Sequence, residues 1–477
     1  MKHSLLAMAI LGCSASGWAG NIHYVNSGPA VTVGAASNAQ LSSSGKFNPA
    51  AISLNTQTSR IGVAEATIGF EMEGLGSFNT VFEDLSDQIN VVTDTFDDYE
   101  NDEATTGDVL AAVDDLETSF DENLSMLSDR FYFTGNAYTS ILSPVAVDMG
   151  RYGTFSIGLS SLTQARASIL HDTLEFDIDA QEISDASEND EDLEPTDYLD
   201  TTSSLYLKQG QVFNVDLAWA HVLPQIEFTE RFGIQATGGL RATIIGYNLQ
   251  KNLYPIKDLI ESVDEDSGEL MDDISDDVTD IFTSDMNYTV ALDAGITLQR
   301  NNTLVGLTVY NLNNPTLEYE ALGGDCASIS DSDDQSECYH AEYFASIGDI
   351  ALNESHSMSP TVTLDAVQGF KNNRIALSGA IDLLPTKNVF GDEHQDFALG
   401  VLLQPNSWYW PRLRMGLGKD LTDLDPTRLA VGVTLFNFLQ VDSQMTAVLG
   451  DLFSDDDTEA GDAIRSASVS ASINIAF

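Results

Sequence analysis

The chain has 477 residues, with 74 Asp and Glu against 20 Lys and Arg, which gives a formal net charge of −54. Such a surface repels phosphates, and this excludes DNA and RNA as partners bound by counterion release. Hydrophobic residues make up 43% of the chain and aromatic residues 9%. That much apolar surface supports a large ordered core and excludes an intrinsically disordered chain.

The first nineteen residues have the features of a secretory signal peptide. Lys2 and His3 precede an apolar stretch from Leu5 to Leu11, and small residues follow up to Ala19. The apolar stretch is too short to span a bilayer, so we expect cleavage after Ala19 and export of residues 20–477. Acylation at Cys13, as in a lipoprotein, is a less favoured alternative because the later site fits a signal peptide better.

Two cysteines remain after the signal, Cys326 and Cys338, in an acidic segment. A pair at this spacing in an exported chain predicts one local disulfide. His340 is close by, but two cysteines and one histidine are a weak basis for a metal site. We therefore expect no metal and no cofactor.

The C-terminal segment alternates between apolar and small polar residues. From Ala467 onwards the odd positions are apolar, the even positions are polar, and the chain stops at Phe477. The same alternation recurs along the chain, for example through Leu240, Ala242 and Ile244. A strand of a soluble protein can alternate in this way, but many repeats of about ten residues indicate a transmembrane β-barrel. No stretch after the signal approaches 18 apolar residues, which excludes a helical membrane protein.

The pattern predicts an all-β transmembrane fold, an outer-membrane antiparallel β-barrel of about fourteen strands. An even number of strands places both ends of the barrel on the periplasmic side. The predicted strands are 60–74, 134–148, 153–175, 202–222, 230–249, 286–299, 302–312, 357–369, 371–385, 395–404, 409–419, 427–436, 439–451 and 464–477.

The connections between these strands alternate in length. Counted back from a periplasmic C-terminus, the inner connections are short, such as Asn437-Phe438. The outer loops are long and acidic, at about 176–201, 250–285, 313–356, 386–394 and 452–463. Their charge is typical of a solvated surface. Uptake of divalent cations is the alternative, although none of these loops has the spacing of an EF-hand.

Residues 76–133 follow a helical period instead. Val92 and Phe96 belong to one apolar stripe, and Val113, Leu116 and Phe120 to a second. This pattern predicts an amphipathic helical hairpin on the outer side of the barrel. The hairpin either caps the barrel mouth or contains two helices that only bury each other.

A family resemblance begins with the segment after the signal, which is rich in small residues and contains Asn48-Pro49-Ala50-Ala51. It resembles the N-terminal segment of fatty-acid-transporter-like (FadL-type) outer-membrane barrels, which implies that residues 20–59 plug the lumen of a barrel formed by residues 60–477. The helical insertion and the C-terminal segments WPRLRMGLGKDL and LAVGVTLF are similar to outer-membrane proteins catalogued as "conjugal transfer protein TraF". The chain lacks the Cys-x-x-Cys of the thioredoxin-like periplasmic protein of similar name.

Residues in the phase opposite to the apolar one are expected to line the lumen. The candidates are Arg241, Arg374, Arg412, Arg414, Arg428, Asp216, Asp293 and Asp382. Guanidinium groups suit carboxylate and phosphate heads, so one hypothesis is a lumen that binds or passes an anionic amphiphile. The alternative, favoured by the cost of unpaired buried charge, is a network of internal ion pairs that closes the lumen.

We expect a protein of the Gram-negative outer membrane without enzymatic activity. The chain contains no His-Glu-x-x-His, no Gly-x-Ser-x-Gly and no phosphate-binding glycine loop, and no catalytic residues are assigned. The leading hypothesis is binding or passage of a hydrophobic anionic ligand. The alternatives are a non-transporting component of an envelope, conjugation or secretion assembly and, more remotely, a surface hydrolase. Expected partners are outer-membrane lipid, lipopolysaccharide and the barrel-assembly machinery, which would bind Phe477.

Overall fold

In a computed structural model of the chain, fourteen antiparallel strands form one closed barrel, which confirms the predicted fold class. The structure describes residues 27–38, 41, 43–57, 60–73, 75–101, 103–176, 199–257, 285–405, 409–448 and 463–476. The barrel strands are β1 (Arg60–Glu73), β2 (Tyr132–Asp148), β3 (Thr154–Leu170), β4 (Ser204–Val222), β5 (Gln235–Pro255), β6 (Asn287–Arg300), β7 (Thr303–Tyr310), β8 (Thr361–Phe370), β9 (Ile375–Asp382), β10 (Asp396–Leu403), β11 (Arg412–Asp420), β12 (Thr427–Leu435), β13 (Leu439–Ala447) and β14 (Ile464–Ala476). Each strand pairs with its neighbours in this order, and β1 pairs with β14 to close the barrel.

The described residues also form short and long helices. They are α1 (Ala30–Val33), α2 (Ser44–Phe47), α3 (Ile52–Gln57), α4 (Leu75–Glu100), α5 (Thr106–Arg130), α6 (Glu227–Phe232) and α7 (Ser332–Ile347), with 3₁₀ turns at Pro49–Ala51, Gly150–Tyr152 and Cys326–Ser328. Among these helices, none combines the length and the apolar character needed to cross a bilayer.

The two faces of each strand differ as the period of two predicts. On β5, Leu240 and Ile244 point outward and are 55% and 42% exposed, whereas Arg241 and Thr243 are buried on the inner face. Pairing between strands satisfies the backbone amides and carbonyls, so the outer surface can be apolar without losing hydrogen bonds. The sheet thus separates an apolar exterior from a polar interior.

Several strands start one to five residues away from the predicted positions, and two of these differences have a clear local cause. The strand expected from residue 230 begins at Gln235, because α6 forms first and ends at Gly233, whose φ is +60°. The strand expected from residue 371 begins at Ile375, because Lys371, Asn372 and Asn373 all have positive φ and form a turn. In both places the alternation of apolar and polar residues continues through the helix or the turn, so the sequence does not show where the strand begins.

Connections at the two ends of the barrel differ in length. One end, here the turn end, has the tight turns after β2, β6, β8 and β12; the opposite loop end has the long connections. The loop between β7 and β8 is itself folded, with a ribbon of Thr316–Glu318 and Ser355–Ser357 in addition to α7. A disulfide joins Cys326 to Cys338 in this loop, with the Cα atoms 5.5 Å apart, as predicted. The signal 1–19, Phe477 and most of the predicted loops 176–201, 250–285 and 452–463 lie outside the described residues.

The helical hairpin of α4 and α5 packs on the outside of the wall. Leu116, Phe120 and Leu124 are buried in a cluster that also contains Leu205 and Leu207 of β4. These two leucines have the same parity as the outward-facing Phe213 and Leu217 further along the same strand. The two helices therefore bury each other and also cover the outer face of the strands at the loop end, away from the barrel mouth.

The hairpin provides a test of this packing. Replacing Phe120, which is fully buried, with alanine is expected to destabilise the hairpin by about 3–5 kcal/mol, because a large aromatic side chain leaves a cavity. Met126→Ala on the exposed side of α5 is the matched control and should change little. Hydrogen exchange of residues 75–130 measures the effect, and equal exchange in the two variants would contradict the described packing.

Candidate functional site

Residues 27–57 lie inside the barrel. Helix α1 contacts β10 to β13, the turn Pro49–Ala51 contacts β4 to β6, and α3 contacts β1 to β4. The segment therefore crosses the lumen and contacts opposite sides of the wall. We call residues 27–57 the lumen segment.

Glycines on the inner face of the wall make room for the lumen segment. A Cβ atom on Gly400 would lie 2.7 Å from the Cα of Val33, and one on Gly416 would overlap the carbonyl of Thr32. Gly239 and Gly295 stand in the same way against the Asn48–Ala50 stretch. The clashes at Gly239, Gly400 and Gly416 involve backbone atoms, and the clash at Gly295 involves the Asn48 and Pro49 side chains. The wall therefore accepts the segment because these four strands carry no side chain at the points of contact.

Hydroxyl and amide groups attach the lumen segment to carboxylates of the wall. Ser37 donates from its backbone N and its Oγ to the two oxygens of Asp365, at 2.7 and 3.1 Å. Thr32 Oγ1 donates to Asp442. Such charge-assisted bonds are stronger than bonds between neutral groups. They fix the position of the segment together with its buried apolar side chains, among them Phe47, Ile52 and Leu54.

Lys46 forms an ion pair between the lumen segment and the wall. Its Nζ lies 3.2 Å from Glu65 Oε1, and the two side chains are 5% and 2% exposed. The same ammonium lies 3.9 Å from the centroid of the Tyr138 ring and donates to Ser27 Oγ. A buried ammonium in this setting has a carboxylate, a hydroxyl and an aromatic face as partners.

The predicted plug motif is a local turn. Asn48 Oδ1 accepts a hydrogen bond from the backbone N of Ala50 at 3.0 Å, and Pro49 occupies the first position of the 3₁₀ turn. Asn48 Nδ2 donates to the carbonyl of Ile296 on β6 at 3.3 Å. The motif thus ends one helix, begins the next turn and contacts the wall.

Two of the predicted lumen arginines have carboxylate partners inside the barrel. Arg241 Nε lies 2.9 Å from Asp293 Oδ2, and its Nη1 donates to the Lys46 carbonyl. Arg414 is bidentate to Asp442, with Nε and Nη2 each 2.8 Å from a carboxylate oxygen, and its Nη1 donates to Thr434. These pairs belong to the internal network that was the alternative to a ligand site.

The remaining predicted residues occupy different positions. Arg428 lies 3.4 Å from Asp396 at the loop end, while Asp216 and Asp382 accept hydrogen bonds from Thr243 and Thr363. Arg412 is half-buried, and its Nε has no hydrogen-bond partner. Arg374 lies exposed in the turn before β9; its expected place in the lumen was wrong because the strand begins one residue later.

Three wall carboxylates of this site were missed by the sequence reasoning. They are Glu65, Asp365 and Asp442, all on the inner face and buried. Asp293 was identified because residues that alternate with the apolar ones on a strand face the lumen. The same rule applies to β1, β8 and β13 and would have found these three carboxylates. Lys46 gave no such signal, because it lies in a segment without strand periodicity.

The loop end of the lumen is closed by the folded loops. Lys208 Nζ lies 2.7 Å from Glu354 Oε1, and Lys251 Nζ donates to the carbonyl of Ala351 at 2.6 Å. Arg166 pairs with Asp392 of the β9–β10 loop. Next to Glu354, burial lowers the pKa of the His356 imidazole to about 4, so this ring is neutral at pH 7. Cationic wall residues therefore hold acidic loop residues over the mouth.

A small cavity lies between the lumen segment and the wall. It is beside Lys46, is lined among others by Tyr138, Ser160 and Asp216, and has a volume of about 10 Å³, which is room for about one water molecule. Within the described ranges, no group of three His, Cys, Asp or Glu side chains is arranged to hold a metal ion.

Residues 46–382 match the protein family described as "F plasmid transfer operon, TraF, protein". The match spans more than two thirds of the 477 residues. The chain belongs to this TraF family. The matched range begins at Lys46 and ends at Asp382, so it includes the Asn48-Pro49-Ala50 turn and the Arg241–Asp293 pair, and the family resemblance seen in the sequence is confirmed.

This TraF-family chain is also similar to solved structures. The CymD monoaromatic hydrocarbon channel is 11% identical, with 94% of this chain and 97% of that chain covered and a TM-score of 0.37. The toluene transporter TodX of Pseudomonas putida is 10% identical, with 97% and 98% covered and a TM-score of 0.33. No curated protein shows significant sequence similarity to the chain.

The Arg414–Asp442 pair can be tested by removing one partner. Arg414→Ala is expected to destabilise the barrel by about 3–5 kcal/mol, because Asp442 is left buried without its cation. Arg412→Ala, two residues away on the same inner face, is the control and should cost much less. Urea unfolding in detergent, followed by tryptophan fluorescence, measures the difference. Similar losses for the two variants would show that the bidentate pair contributes nothing particular to stability.

Proposed function

We propose that this protein is an outer-membrane β-barrel of a Gram-negative cell in which the lumen segment is a removable plug. A small amphiphile binds in, or passes through, the lumen when the plug moves. The observation that carries the proposal is the kind of contact that holds the segment: hydroxyl, amide and ammonium groups bind wall carboxylates, beside buried apolar side chains such as Phe47 and Ile52. Water that enters the lumen as the segment leaves can replace these polar partners, and this replacement limits the net cost of displacement.

The surface of the barrel supports a place in a membrane. Large apolar side chains such as Phe213, Leu217 and Leu240 are exposed on the outer face. At the turn end, Tyr409 and Trp410 are 66% and 60% exposed, in keeping with the aromatic belts that form at membrane interfaces. Contacts with lipid, lipopolysaccharide and the barrel-assembly machinery stay expectations that follow from this location.

The charge of the amphiphile is a separate question. An anionic head was expected at the lumen arginines, but Arg241 and Arg414 already bind Asp293 and Asp442. An anion would have to compete with these carboxylates at close range. Arg412 is the exception, because its Nε has no hydrogen-bond partner, and it is the candidate contact for an anionic head at the turn end.

A second candidate function is a sealed barrel that anchors an envelope, secretion or conjugation assembly and transports nothing. The observation that favours it is the closure of the lumen at two levels. The lumen segment lies inside the barrel, and the loops above it are bound by Lys208, Lys251 and Arg166 through ion pairs and hydrogen bonds. The two candidates differ in whether the segment moves during function.

Variants that expel or lock the lumen segment separate these candidates. Gly416→Val should displace the segment, because a side chain there overlaps the Thr32 carbonyl, and we expect it to raise the conductance of planar bilayers severalfold over the wild type. Gly379→Val is the control, since its Cβ points outward to the Leu399 side chain. Ser37→Cys with Gly306→Cys should form a disulfide that locks the segment. A Cβ on Gly306 would lie 2.7 Å from Ser37 Oγ and would meet side-chain atoms only, and about 3 Å separates one sulfur from the partner Cβ in a disulfide.

Uptake of two fluorescent twelve-carbon amphiphiles by cells, one with a carboxylate head and one with an amine head, then tests passage. We expect uptake of at least one of them in wild-type cells, loss of that uptake with the oxidised cysteine pair and recovery after reduction. Folded Gly416→Val barrels that do not conduct would refute the removable plug. Equal uptake with and without the locked segment would instead favour the sealed structural barrel.

A further inference from the structure

The Lys46 ammonium occupies a pocket whose walls would suit other primary ammonium groups. Glu65 on β1 supplies a carboxylate oxygen at 3.2 Å, and Tyr138 on β2 supplies a ring face at 3.9 Å from the same nitrogen. Glu65 and Tyr138 are 4% and 3% exposed. A desolvated carboxylate beside an aromatic face is a combination that binds alkylammonium cations strongly.

The pocket belongs partly to the wall and partly to the lumen segment. Ser27 and Phe47, which also contact the Lys46 ammonium, would leave with the segment. Glu65 and Tyr138 would stay, together with the Ser140, Ser160 and Asp216 side chains of the adjoining cavity. The carboxylate and the aromatic ring therefore remain in place when the tethered lysine is gone.

Carboxylates outnumber guanidinium groups on the wall around the lumen segment, and Lys46 offsets part of the difference. The wall contributes the five carboxylates Glu65, Asp216, Asp293, Asp365 and Asp442, against the three guanidinium groups of Arg241, Arg412 and Arg414. Lys46 is the single charged residue of the 27–57 sequence. Displacement of the segment thus removes a cation from a wall that already has an excess of carboxylates, and burying such charges without partners is costly.

The acidic outer loops that the sequence predicts act in the same direction. The chain carries a net charge of −54, and the segments at 176–201, 250–285 and 452–463 are rich in Asp and Glu. Acidic loops around an entrance raise the local concentration of cations and lower that of anions.

We propose that Glu65 and Tyr138 form an ammonium-binding site, which Lys46 fills as a tethered ligand in the closed barrel. An organic cation with a primary ammonium group on an apolar arm, such as an alkylamine or a polyamine, takes this site when the segment moves. Access to the site rests on the proposed removable plug. A cation that binds only the displaced state shifts the barrel towards that state, so the ligand and the opening of the lumen are coupled.

Chemical rescue tests the site without requiring the plug to move. Lys46→Ala removes the ammonium and leaves room for a small amine, so the full-length variant should unfold at a lower temperature than the wild type. Propylammonium should restore most of this loss, whereas propionate and propanol should not. In Lys46→Ala with Glu65→Gln the rescue should vanish, because the carboxylate that attracts the amine is gone.

Lys387→Ala is the matched control, since Lys387 and Glu393 form an ion pair with both side chains more than half exposed, and propylammonium should not rescue it. A folded Lys46→Ala variant on which propylammonium acts no better than propanol overturns the proposal. If Lys46→Ala does not fold alone, refolding it in the presence of propylammonium or of propanol allows the same comparison, with the yield of folded barrel as the readout.

A second measurement separates this site from the proposed plug. Thiol labelling of Val33→Cys, which is buried in the closed barrel, reports displacement of the lumen segment. Hexylammonium should accelerate the labelling, hexanoate should not, and Glu65→Gln should abolish the acceleration while Glu230→Gln on exposed α6 keeps it. Rescue without accelerated labelling would refute the removable plug but support the ammonium site; accelerated labelling by hexanoate would overturn the preference for cations.

Discussion

Charges inside the lumen must find partners within the barrel, and the strand register provides them. Arg241 and Asp293 stand directly opposite each other on β5 and β6. Arg414 and Asp442 lie two strands apart, and the residue between them in register is Gly432, whose missing side chain lets the guanidinium reach the carboxylate. Arg428 reaches towards Asp396 over Gly418 in the same manner. The wall thus satisfies its buried charges by placing glycine wherever a pair has to span a strand.

The same constraint explains how much of the fold the sequence revealed. Alternation with a period of two predicts the closed barrel, the number of strands and the inward direction of Arg241, Arg414 and Asp293, because a strand places successive side chains on opposite faces. Alternation does not fix where a strand begins. A helix at Glu227–Phe232 and three left-handed residues at Lys371–Asn373 interrupt patterns that look continuous in the sequence.

The candidate site was harder to predict from the sequence than the fold was, for a different reason. Its central contact joins Lys46, in a segment with no periodicity, to Glu65 on the first strand and to Tyr138 beyond a helical hairpin. Periodicity assigns a face to each strand residue, but it contains no information about what an irregular segment places against that face. The contacts of Leu205 and Leu207 show that α4 and α5 pack on the outer face of the wall. The sequence assigns these two leucines to the outer face, but it does not say which element covers them.

The lumen segment is also connected to the seam where β1 meets β14. Gly28 donates to Ser470 of β14 at 2.7 Å, across 442 residues of sequence, while Lys46 pairs with Glu65 of β1. Contacts between such distant parts of a chain form late, because the loop between them must close first. The lumen segment can therefore complete its contacts only after β14 has been made, so completion of the barrel wall and seating of the segment inside it become one event in assembly.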